Sequence, residues 1–387
     1  MKILFVVNNF YIKGNGLSAS ARRTVEYLKK HGQDVKVLSC RSPYNDGIEP
    51  DFVLNTTYIP LFNNLIKHQG YEFAKAEKDV IKEAVAWADV VHLEEPFYLQ
   101  IVTAKVAEEL GKPITSTYHL HPENLFASIG LEKSKHINQV TLRVWRDTVF
   151  NKSVIIQSPT ENAKKRLVDN GFTPEIRVIS NGLLIEDEGK NLKKTFDGYY
   201  NIASIGRLSR EKDEMTLIKA MKYSKYAKQI RLIFAGRGPL ENNLKKLAYK
   251  YYIKKIISVY PIFGFYSIGE LQNIAKNSHL YIHCASIEVE GLSCLEAIQT
   301  GLVPIIADAK YSATTQFALR KENTFPAHNE RELAKRIDFW LDNEILRKSE
   351  EQKYKKLKDE YDINKSIEKL IEMFEDAISL YNAKNKA

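Results

Sequence analysis

The sequence predicts an α/β fold built from two doubly wound, Rossmann-like halves. Strand-like and helix-like hydrophobic patterns alternate along the chain, which is typical of βαβ units and a parallel sheet. The pattern restarts after Asn181-Gly182, and a polar stretch near 182–198 joins the halves. A chain of 387 residues is long enough for two such domains, each with its own core.

The elements of the first half follow from periodicity. Residues 2–8 are almost continuously apolar, as in a buried strand, and 17–31 place Ala21, Val25 and Leu28 on one helical face. Further strands are predicted at 34–39, 89–93, 113–118 and 153–157.

The second half repeats the alternation and ends in two helices. Strands are predicted at 201–205, 231–235, 256–260, 280–284 and 303–307, and helices at 214–223 and 240–250. The Lys/Glu-rich stretch 348–360 is expected to be an exposed helix, and 367–381 an amphipathic helix that packs on another element.

Composition excludes several classes of protein. With 44% hydrophobic and 27% charged residues, the chain is neither disordered nor fibrous. No apolar run approaches the 18 residues of a spanning helix, and the first apolar run is too short for a signal peptide. Three scattered cysteines fit a reducing cytoplasm.

The net charge of +9 is unevenly distributed. Residues 207–255 hold 14 basic and 4 acidic residues, hence +10, whereas residues 1–190 hold 24 and 23, hence +1. Such a stretch attracts phosphates, acidic lipid surfaces or nucleic acid, although a solvated helix surface has the same composition.

A glycine motif, Gly14-Asn15-Gly16-Leu17-Ser18-Ala19, follows the first strand. It matches the dinucleotide fingerprint in spacing, but it starts five residues after the strand, and Arg41 stands near the position of the usual acidic residue. NADP binding, a plain strand–helix turn, and a loop whose N–H groups face a polar or anionic ligand are the three interpretations.

Two basic turns follow successive strands of the second half. The run 206–212 contains Gly206, Arg207 and Lys212, and the run 236–239 contains Gly236 and Gly238. A forked guanidinium and a compact ammonium at the carboxyl edge of a sheet suit a diphosphate.

The most specific pattern is a pair of glutamates separated by seven residues, Glu288 and Glu296. Between them, Gly291, Leu292 and Ser293 are expected to open a helix whose free N–H groups can hold a phosphate. Carboxylates accept hydrogen bonds from vicinal diols, so Glu288 suits a sugar and Glu296 a ribose.

His119 is predicted to end a strand beside a cleft between the halves. A metal site with His121 is a weak alternative, and a purely structural histidine is another. No D-x-D sequence is present, so we expect no metal and expect cations of the chain to neutralise a diphosphate.

Together these motifs resemble glycosyltransferase family 4, over nearly the whole chain. The resemblance implies the GT-B fold, with two Rossmann-like domains facing a cleft. It implies an acceptor-binding domain over 1–182, a nucleotide-sugar-binding domain over 183–365, and a C-terminal helix over 366–387 that packs back on the first domain. It also implies a retaining, metal-independent transferase with no cofactor.

The resemblance also assigns roles to residues. Arg207 and Lys212 would hold the diphosphate and stabilise the leaving group, and Glu288 would position the sugar. The resemblance implies that the catalytic residues are His119, Glu288, Arg207 and Lys212. The donor-binding residues would be Gly16, Gly206, Arg207, Lys212, Gly236, Gly238, Glu288, Gly291, Leu292, Ser293 and Glu296.

The implied function is transfer of a hexose, from a donor expected to be UDP-linked, to a lipid or glycan acceptor in bacterial envelope synthesis. Residues 17–22 and Tyr118-His119 resemble bacterial diacylglycerol glucosyltransferases, and surface-polysaccharide transferases are similar too. The expected location is cytoplasmic, with peripheral contact to the inner face of the plasma membrane and no nucleic acid partner. The alternative is a non-catalytic relative that binds membranes or polyanions.

One segment of the first half has the mixture of basic and apolar residues that is typical of membrane contact. Basic residues surround Val144, Trp145, Val149 and Phe150, and such a segment could rest on anionic lipid. An ordinary amphipathic core helix is the competing interpretation.

Overall fold

The computed structural model describes residues 1–11, 16–43, 49–58, 71–127, 129–184 and 197–386, in two compact units. The first comprises 1–122, 134–182 and 363–387, and the second 123–133 and 183–362. The chain therefore passes between the units at four points, Pro122–Glu123, Lys133–Ser134, Gly182–Leu183 and Asp362–Ile363. The sequence gives no sign that residues 123–133 belong to the second unit. Gly14, Asn15 and the acidic linker run 186–190 lie outside the described residues.

The first unit contains a seven-stranded parallel sheet in the order β3-β2-β1-β6-β7-β8-β9. Short strands β4 and β5 form a separate antiparallel pair. The strands are β1 (Lys2–Val6), β2 (Asp34–Cys40), β3 (Phe52–Leu54), β4 (Thr56–Thr57), β5 (Phe73–Ala74), β6 (Val90–Leu93), β7 (Ile114–Thr117), β8 (Ile155–Ser158) and β9 (Glu175–Val178).

Helices alternate with these strands, as the periodicity predicts. In the first unit they are α1 (Gly16–Lys30), α2 (Lys78–Trp87), α3 (Tyr98–Glu109), α5 (Lys135–Thr148) and α6 (Glu161–Asp169). Helix α4 (Pro122–Ala127) belongs to the second unit from residue 123 onward. The apolar faces of α2 and α3 pack on the sheet, where Ile81, Val85 and Leu99 are buried with Leu4 and Val91. Covering a parallel sheet with helices on its faces is what makes its strands nearly continuously apolar.

The apolar segment around α5 belongs to the core. Trp145, Val149 and Phe150 are buried, whereas Val140 and Val144 are exposed. Phe150 packs against Tyr118 at a ring-centroid distance of 5.6 Å. The competing interpretation, a core helix, therefore holds for Trp145, Val149 and Phe150, which are not a membrane surface.

The second unit contains a six-stranded parallel sheet in the order β12-β11-β10-β13-β15-β17. Its strands are β10 (Tyr200–Ile205), β11 (Ile230–Ala235), β12 (Ile262–Gly264), β13 (Leu280–His283), β15 (Pro304–Asp308) and β17 (Thr324–Pro326), with a separate short pair β14 (Ile287–Glu288) and β16 (Tyr311–Ser312). Its helices are α7 (Glu214–Ala220), α8 (Glu241–Ile253), α9 (Ile268–Asn277), α10 (Leu292–Ile298), α11 (Glu330–Asp342) and α12 (Glu344–Leu357).

One predicted strand of this unit is wrong. Residues 256–260 are turn and bend, and β12 begins later, at Ile262. Lys255 has a left-handed backbone with φ 54°, which ends the α8 region in a turn, and Pro261 lacks the N–H that a ladder needs. The apolar residues of 256–260 therefore lie in the connection to the edge strand.

Helix α13 (Ile363–Lys386) completes the first unit. It packs against α1, β6 and β7, and its buried residues are Ile363, Ile367, Leu370, Met373, Phe374 and Ala377. The ring of Phe374 meets His92 of β6 at 5.1 Å, and Arg177 forms a salt bridge with Asp376 at 2.7 Å. The last helical segment in sequence is thus part of the core of the first unit.

Candidate active site

The second sheet reverses its strand order at β10, which lies between β11 and β13. Open α/β sheets bind ligands outside the carboxyl ends of the strands at such a switch point. The basic turn containing Arg207 follows β10, the Gly236–Gly238 turn follows β11, and the loop containing Glu288 follows β13. The topology thus collects three of the predicted motifs at one edge.

The glycine turns are packed backbone against backbone. A Cβ on Gly236 would lie 1.8 Å from the Gly206 carbonyl oxygen, and one on Gly238 would lie 2.2 Å from the Leu208 carbonyl oxygen. Leu208 N–H donates to the Arg237 carbonyl at 3.0 Å. Close contact between the two turns therefore already requires both glycines, whereas the sequence suggested only that they admit a ligand.

Lys212 and Glu288 form an ion pair at this edge. Lys212 Nζ donates to Glu288 Oε2 at 2.5 Å and to Oε1 at 2.7 Å, and both side chains are largely covered. Burial alone would lower the pKa of Lys212, but the Glu288 carboxylate outweighs it and raises that pKa. Lys212 therefore carries its positive charge throughout the physiological pH range.

Backbone hydrogen bonds hold the two loops of this pair together. Ser286 N–H donates to the Glu211 carbonyl at 2.8 Å, one residue before Lys212 and two residues before Glu288. Glu288 itself lies in β14, and its carbonyl accepts from Ala313 N–H at 2.9 Å. The pair is thus positioned by main-chain contacts as well as by its own charges.

Arg207 is a second cation at the same edge. It is half-buried, and its guanidinium makes no hydrogen bond or salt bridge with any residue that the structure describes. The loop after β10 thus carries one guanidinium without a partner among the described residues and one ammonium paired with Glu288. That charge distribution suits a doubly charged diphosphate.

Gly291 caps the short helix α10 with a left-handed backbone, φ 89°. A Cβ there would lie 2.1 Å from Thr314 Cγ2, so only glycine fits. Leu292 and Ser293 precede the first helical hydrogen bond, which Cys294 N–H makes to the Gly291 carbonyl at 2.9 Å. Glu296 is half-buried and lies one turn into the helix, as predicted from the spacing of the two glutamates.

Sequence reasoning missed His283, which ends β13 and is buried. Tyr281 Oη lies 3.2 Å from its Nδ1. Burial, with the charge of Lys212 nearby, lowers the pKa of His283 to about 3. Among the described residues Nε2 has no hydrogen-bond partner, so this edge contains a buried ring nitrogen whose hydrogen-bonding capacity is not satisfied. Its position at a strand end, five residues before Glu288, is the signal that could have found it.

In the first unit, His119 follows β7 and belongs to a buried hydrogen-bond chain. Its Nε2 lies 2.8 Å from Glu94 Oε2, and Glu94 Oε1 lies 2.9 Å from His92 Nε2. Burial alone would raise the pKa of Glu94, but His119 and His92 lower it to about 2. Glu94 is therefore ionised, and its carboxylate orients His119. No pattern in the sequence had pointed to Glu94.

The remaining predicted residues of the first unit are less informative. Gly16 is exposed at the start of α1, with open space where a Cβ would lie. His121 is buried, and its Nδ1 lies 2.9 Å from Tyr118 Oη, in the core and not beside His119 in a metal pair. Within the described residues no cluster of three or more His, Cys, Asp or Glu has the geometry of a metal site. Gly16 and His119 belong to the first unit, and the other predicted site residues belong to the second.

Comparison with protein families assigns both halves of the chain. Residues 14–186 match the model described as Glycosyltransferase Family 4, and residues 186–359 match the model described as Glycosyl transferases group 1. The chain is a family 4 glycosyltransferase. The chain has the GT-B fold class that the resemblance implies.

The chain is also similar to individual proteins and solved structures. Alpha-monoglucosyldiacylglycerol synthase of Streptococcus pneumoniae is 24% identical over 321 residues, which cover 79% of this chain and 71% of the relative. The structure of Anabaena HepE in complex with UDP and glucose superposes with a TM-score of 0.73 at 16% identity, over 97% of this chain and 100% of that one. The catalytic domain of cholesterol-alpha-glucosyltransferase from Helicobacter pylori is 40% identical over 42% of this chain and 98% of that one, with a TM-score of 0.38.

Proposed function

We propose that this glycosyltransferase moves a hexose from a nucleotide-diphosphate sugar, UDP-linked, to a lipid or glycan acceptor in bacterial envelope synthesis. The reaction proceeds with retention at the anomeric carbon and needs neither a metal ion nor a cofactor. The observation that carries the proposal is the edge of the second sheet at the switch point, where the loop that follows β10 supplies Arg207 and Lys212, and Lys212 is paired with Glu288 from the loop after β13.

The charges at this edge support a diphosphate as the ligand. Lys212 is held as a cation by Glu288, and Arg207 has no anionic partner among the described residues. Two cations stabilise the negative charge that develops on a leaving nucleoside diphosphate, the task that a divalent ion performs in other transferases.

The proposed reaction exchanges one bond for another at the sugar. The bond from the anomeric carbon to the diphosphate oxygen breaks, and the acceptor oxygen bonds to the same face of that carbon. The acceptor hydroxyl gives its proton to the departing phosphate oxygen, so no protein nucleophile is required. Glu288 positions the sugar, and Glu296 accepts hydrogen bonds from the ribose hydroxyls.

His119 is proposed to contact the donor sugar or the acceptor from the first unit. Glu94 accepts a hydrogen bond from His119 Nε2 at 2.8 Å, which sets the direction of the ring. The Glu94 carboxylate fixes this orientation, as a second partner does for catalytic histidines generally.

A lipid acceptor is supported by the pneumococcal relative, whose name describes a synthase of alpha-monoglucosyldiacylglycerol. With such an acceptor, we propose a cytoplasmic enzyme that reaches the lipid by peripheral contact with the inner face of the plasma membrane. The described part of the chain contains no helix long and apolar enough to cross a membrane.

The test is a transfer assay with the full chain. UDP-glucose, UDP-galactose, UDP-N-acetylglucosamine and GDP-mannose are each incubated with diacylglycerol, a glucosyldiacylglycerol, a sterol or an oligosaccharide, with and without a chelator. Nucleotide release and product formation are measured, and proton NMR of the first-formed product reports the anomeric configuration. We expect one donor to dominate, an α-linked product from an α-linked donor, and equal rates with chelator.

Three outcomes would contradict separate parts of the proposal. A β-linked product excludes retention, and loss of rate with chelator that a divalent ion restores excludes metal independence. Vesicle or polyanion binding with no transfer and no donor-induced thermal stabilisation favours the non-catalytic alternative. Donor stabilisation is measured first, because it reports the donor site even when the acceptor is missing from the panel.

A further inference from the structure

A surface of the second unit combines lysines with exposed aromatic side chains. Residues 242–269 contain five lysines and neither aspartate nor glutamate. The segment includes most of α8 and the edge strand β12, both within the second unit. An acid-free stretch of this length gives the surface a uniform positive sign. We call it the α8–β12 surface.

Large apolar groups are exposed on this surface. Tyr249 and Ile253 are 59% and 58% exposed, and Phe265 is 52% exposed. The other exposed members are Tyr252, Tyr260, Ile262 and Ile268. Single exposed apolar residues are ordinary, but seven within one segment form a patch that usually has a partner.

Ring contacts show that part of the patch is continuous across elements. The rings of Tyr252 and Tyr260 lie 6.3 Å apart, and those of Tyr260 and Phe263 lie 6.2 Å apart. Lys245 Nζ lies 5.6 Å from the Phe263 ring, which joins α8 to β12. The patch therefore extends from the helix to the edge of the sheet.

The lysines on the helix alternate with the apolar residues along its exposed side. Lys246, Tyr249, Lys250 and Ile253 are spaced as neighbours on one helical face, and all are exposed. Lys245 pairs with Glu241 at 2.6 Å. Lys246, Lys250, Lys254 and Lys255 form no salt bridge with any residue that the structure describes.

We propose that the α8–β12 surface docks the enzyme on a bilayer containing anionic phospholipid. Tyrosine and isoleucine side chains suit the boundary between headgroups and acyl chains, while the lysine heads reach the anionic phosphates. Charge complementarity selects this occupant over a second copy of the chain, since two copies of a uniformly positive surface repel each other. The role of this docking in the enzyme rests on the lipid acceptor proposed above. Binding of the surface to an anionic bilayer does not depend on that acceptor.

The experiment is co-sedimentation of the full chain with vesicles. We use vesicles of phosphatidylglycerol and phosphatidylcholine in equal parts, and vesicles of phosphatidylcholine alone, at low and high salt. The wild-type protein is expected to bind the anionic vesicles, to release with salt, and to bind phosphatidylcholine poorly. The triple variant Lys246→Glu, Lys250→Glu, Lys254→Glu is expected to lose about a hundredfold or more in partition, since each lysine near the surface contributes roughly one order of magnitude or a little less.

Two further variants separate the patch from general effects. Tyr249→Ser with Ile253→Ser is expected to weaken binding even at low salt, because insertion is lost while charge is kept. The matched control is the triple variant Lys29→Glu, Lys82→Glu, Lys105→Glu, which makes the same charge change at exposed lysines of the first unit. It is expected to retain at least half of the wild-type free energy of binding to the anionic vesicles.

Equal loss of binding in control and patch variants would overturn the proposal, because it would show a net-charge effect. Unchanged vesicle binding in the patch variants would overturn it as well, as would a dimer that the Tyr249→Ser, Ile253→Ser variant dissociates in sedimentation equilibrium. Donor-induced thermal stabilisation should be unchanged in every variant, which separates failure of the docking surface from failure of the proposed transferase.

Discussion

At the scale of single residues, charge pairing decides what the predicted site residues can do. Glu288 and Lys212 neutralise each other, so the charge available to a ligand is that of Arg207. In the proposed reaction, a diphosphate that approaches Lys212 competes with Glu288 for its protons, which frees the Glu288 carboxylate for sugar hydroxyls. The proposal thereby links donor binding and sugar positioning through one ammonium.

Lys212→Met tests this link. The variant removes one cation from the leaving group and leaves Glu288 without its ion partner, and we expect kcat/KM to fall by about a thousandfold. Lys228→Met, an equal charge change at an exposed site, should leave kcat/KM within about threefold. Steady-state kinetics with the preferred donor would measure both. Similar rates in the two variants would remove Lys212 from the mechanism.

Glu94→Gln tests the buried carboxylate beside His119. The pKa of Glu94 is about 2 in the folded protein against an ordinary 4.5, so the folded state gains about 3 kcal/mol from its ionisation at neutral pH. A lowered folded pKa means that this contribution is complete above about pH 5 and is lost as the pH falls towards 2. The stability difference between wild type and Glu94→Gln should therefore shrink over that acid range.

Urea unfolding at a series of pH values would measure this difference. Glu83→Gln, an exposed carboxylate on α2, is the control and should differ from wild type by less than about 0.5 kcal/mol at neutral pH. A wild-type advantage over Glu94→Gln that does not change between pH 5 and the acid limit would show that the pKa of Glu94 is not lowered.

At the scale of elements, turns and caps position the site. The β10 and β11 turns touch through glycine backbones, and the β13 loop is tied to the β10 loop through Ser286 and Glu211. These contacts hold the switch-point loops in one arrangement. The sequence located the turns correctly, because glycine and proline mark strand–helix turns. It could not show that the turns pack on each other, because that contact joins strands that hydrogen bonding places side by side.

Gly291→Ala tests the cap of α10. The new Cβ meets Thr314 Cγ2 and the left-handed backbone is strained, so we expect a loss of more than about 2 kcal/mol in unfolding free energy. Adding Thr314→Ser removes the contacted methyl group and should recover part of that loss, leaving about 1 kcal/mol of backbone strain. Chemical denaturation would measure each variant.

Gly269→Ala is the matched control, since that glycine lies in α9 and a Cβ added there would meet no other atom within 4 Å. There alanine should be neutral or should stabilise the helix by up to about 1 kcal/mol. A Gly291→Ala variant as stable as Gly269→Ala would contradict the steric account.

At the scale of the whole molecule, the chain forms two units and returns to the first with its final helix. The sequence shows the apolar face of 367–381, but it does not show which element this face packs against. The structure supplies that partner: Phe374 contacts His92, which in turn contacts Phe5 at 5.2 Å. The first unit thus depends on residues separated from it by the entire second unit.

Phe374→Ala tests this dependence. Removing a fully buried ring should cost about 3–5 kcal/mol in unfolding free energy. Leu380→Ala lies on the same helix at a half-exposed position and should cost less than about 1 kcal/mol. Thermal or urea unfolding would compare the two, and equal small losses would show that α13 does not support the core.

The sequence by itself determined the fold class, most of the elements and the family. Periodicity and local motifs suffice for these, because they depend on neighbours along the chain. It misplaced the strand before β12, where a left-handed Lys255 and Pro261 overrode an apolar run. It also offered a membrane role for the segment at 144–150, because hydrophobicity alone does not distinguish a core face from a surface.

Only the tertiary structure decided which groups meet. It paired Lys212 with Glu288 across 76 positions of sequence, and it brought Glu94 between His92 and His119. It left His283 buried with an unpartnered nitrogen among the described residues, and it exposed the aromatic residues of the α8–β12 surface. Burial and long-range contact set charge state and exposure, and neither is encoded in the spacing of residues along the chain.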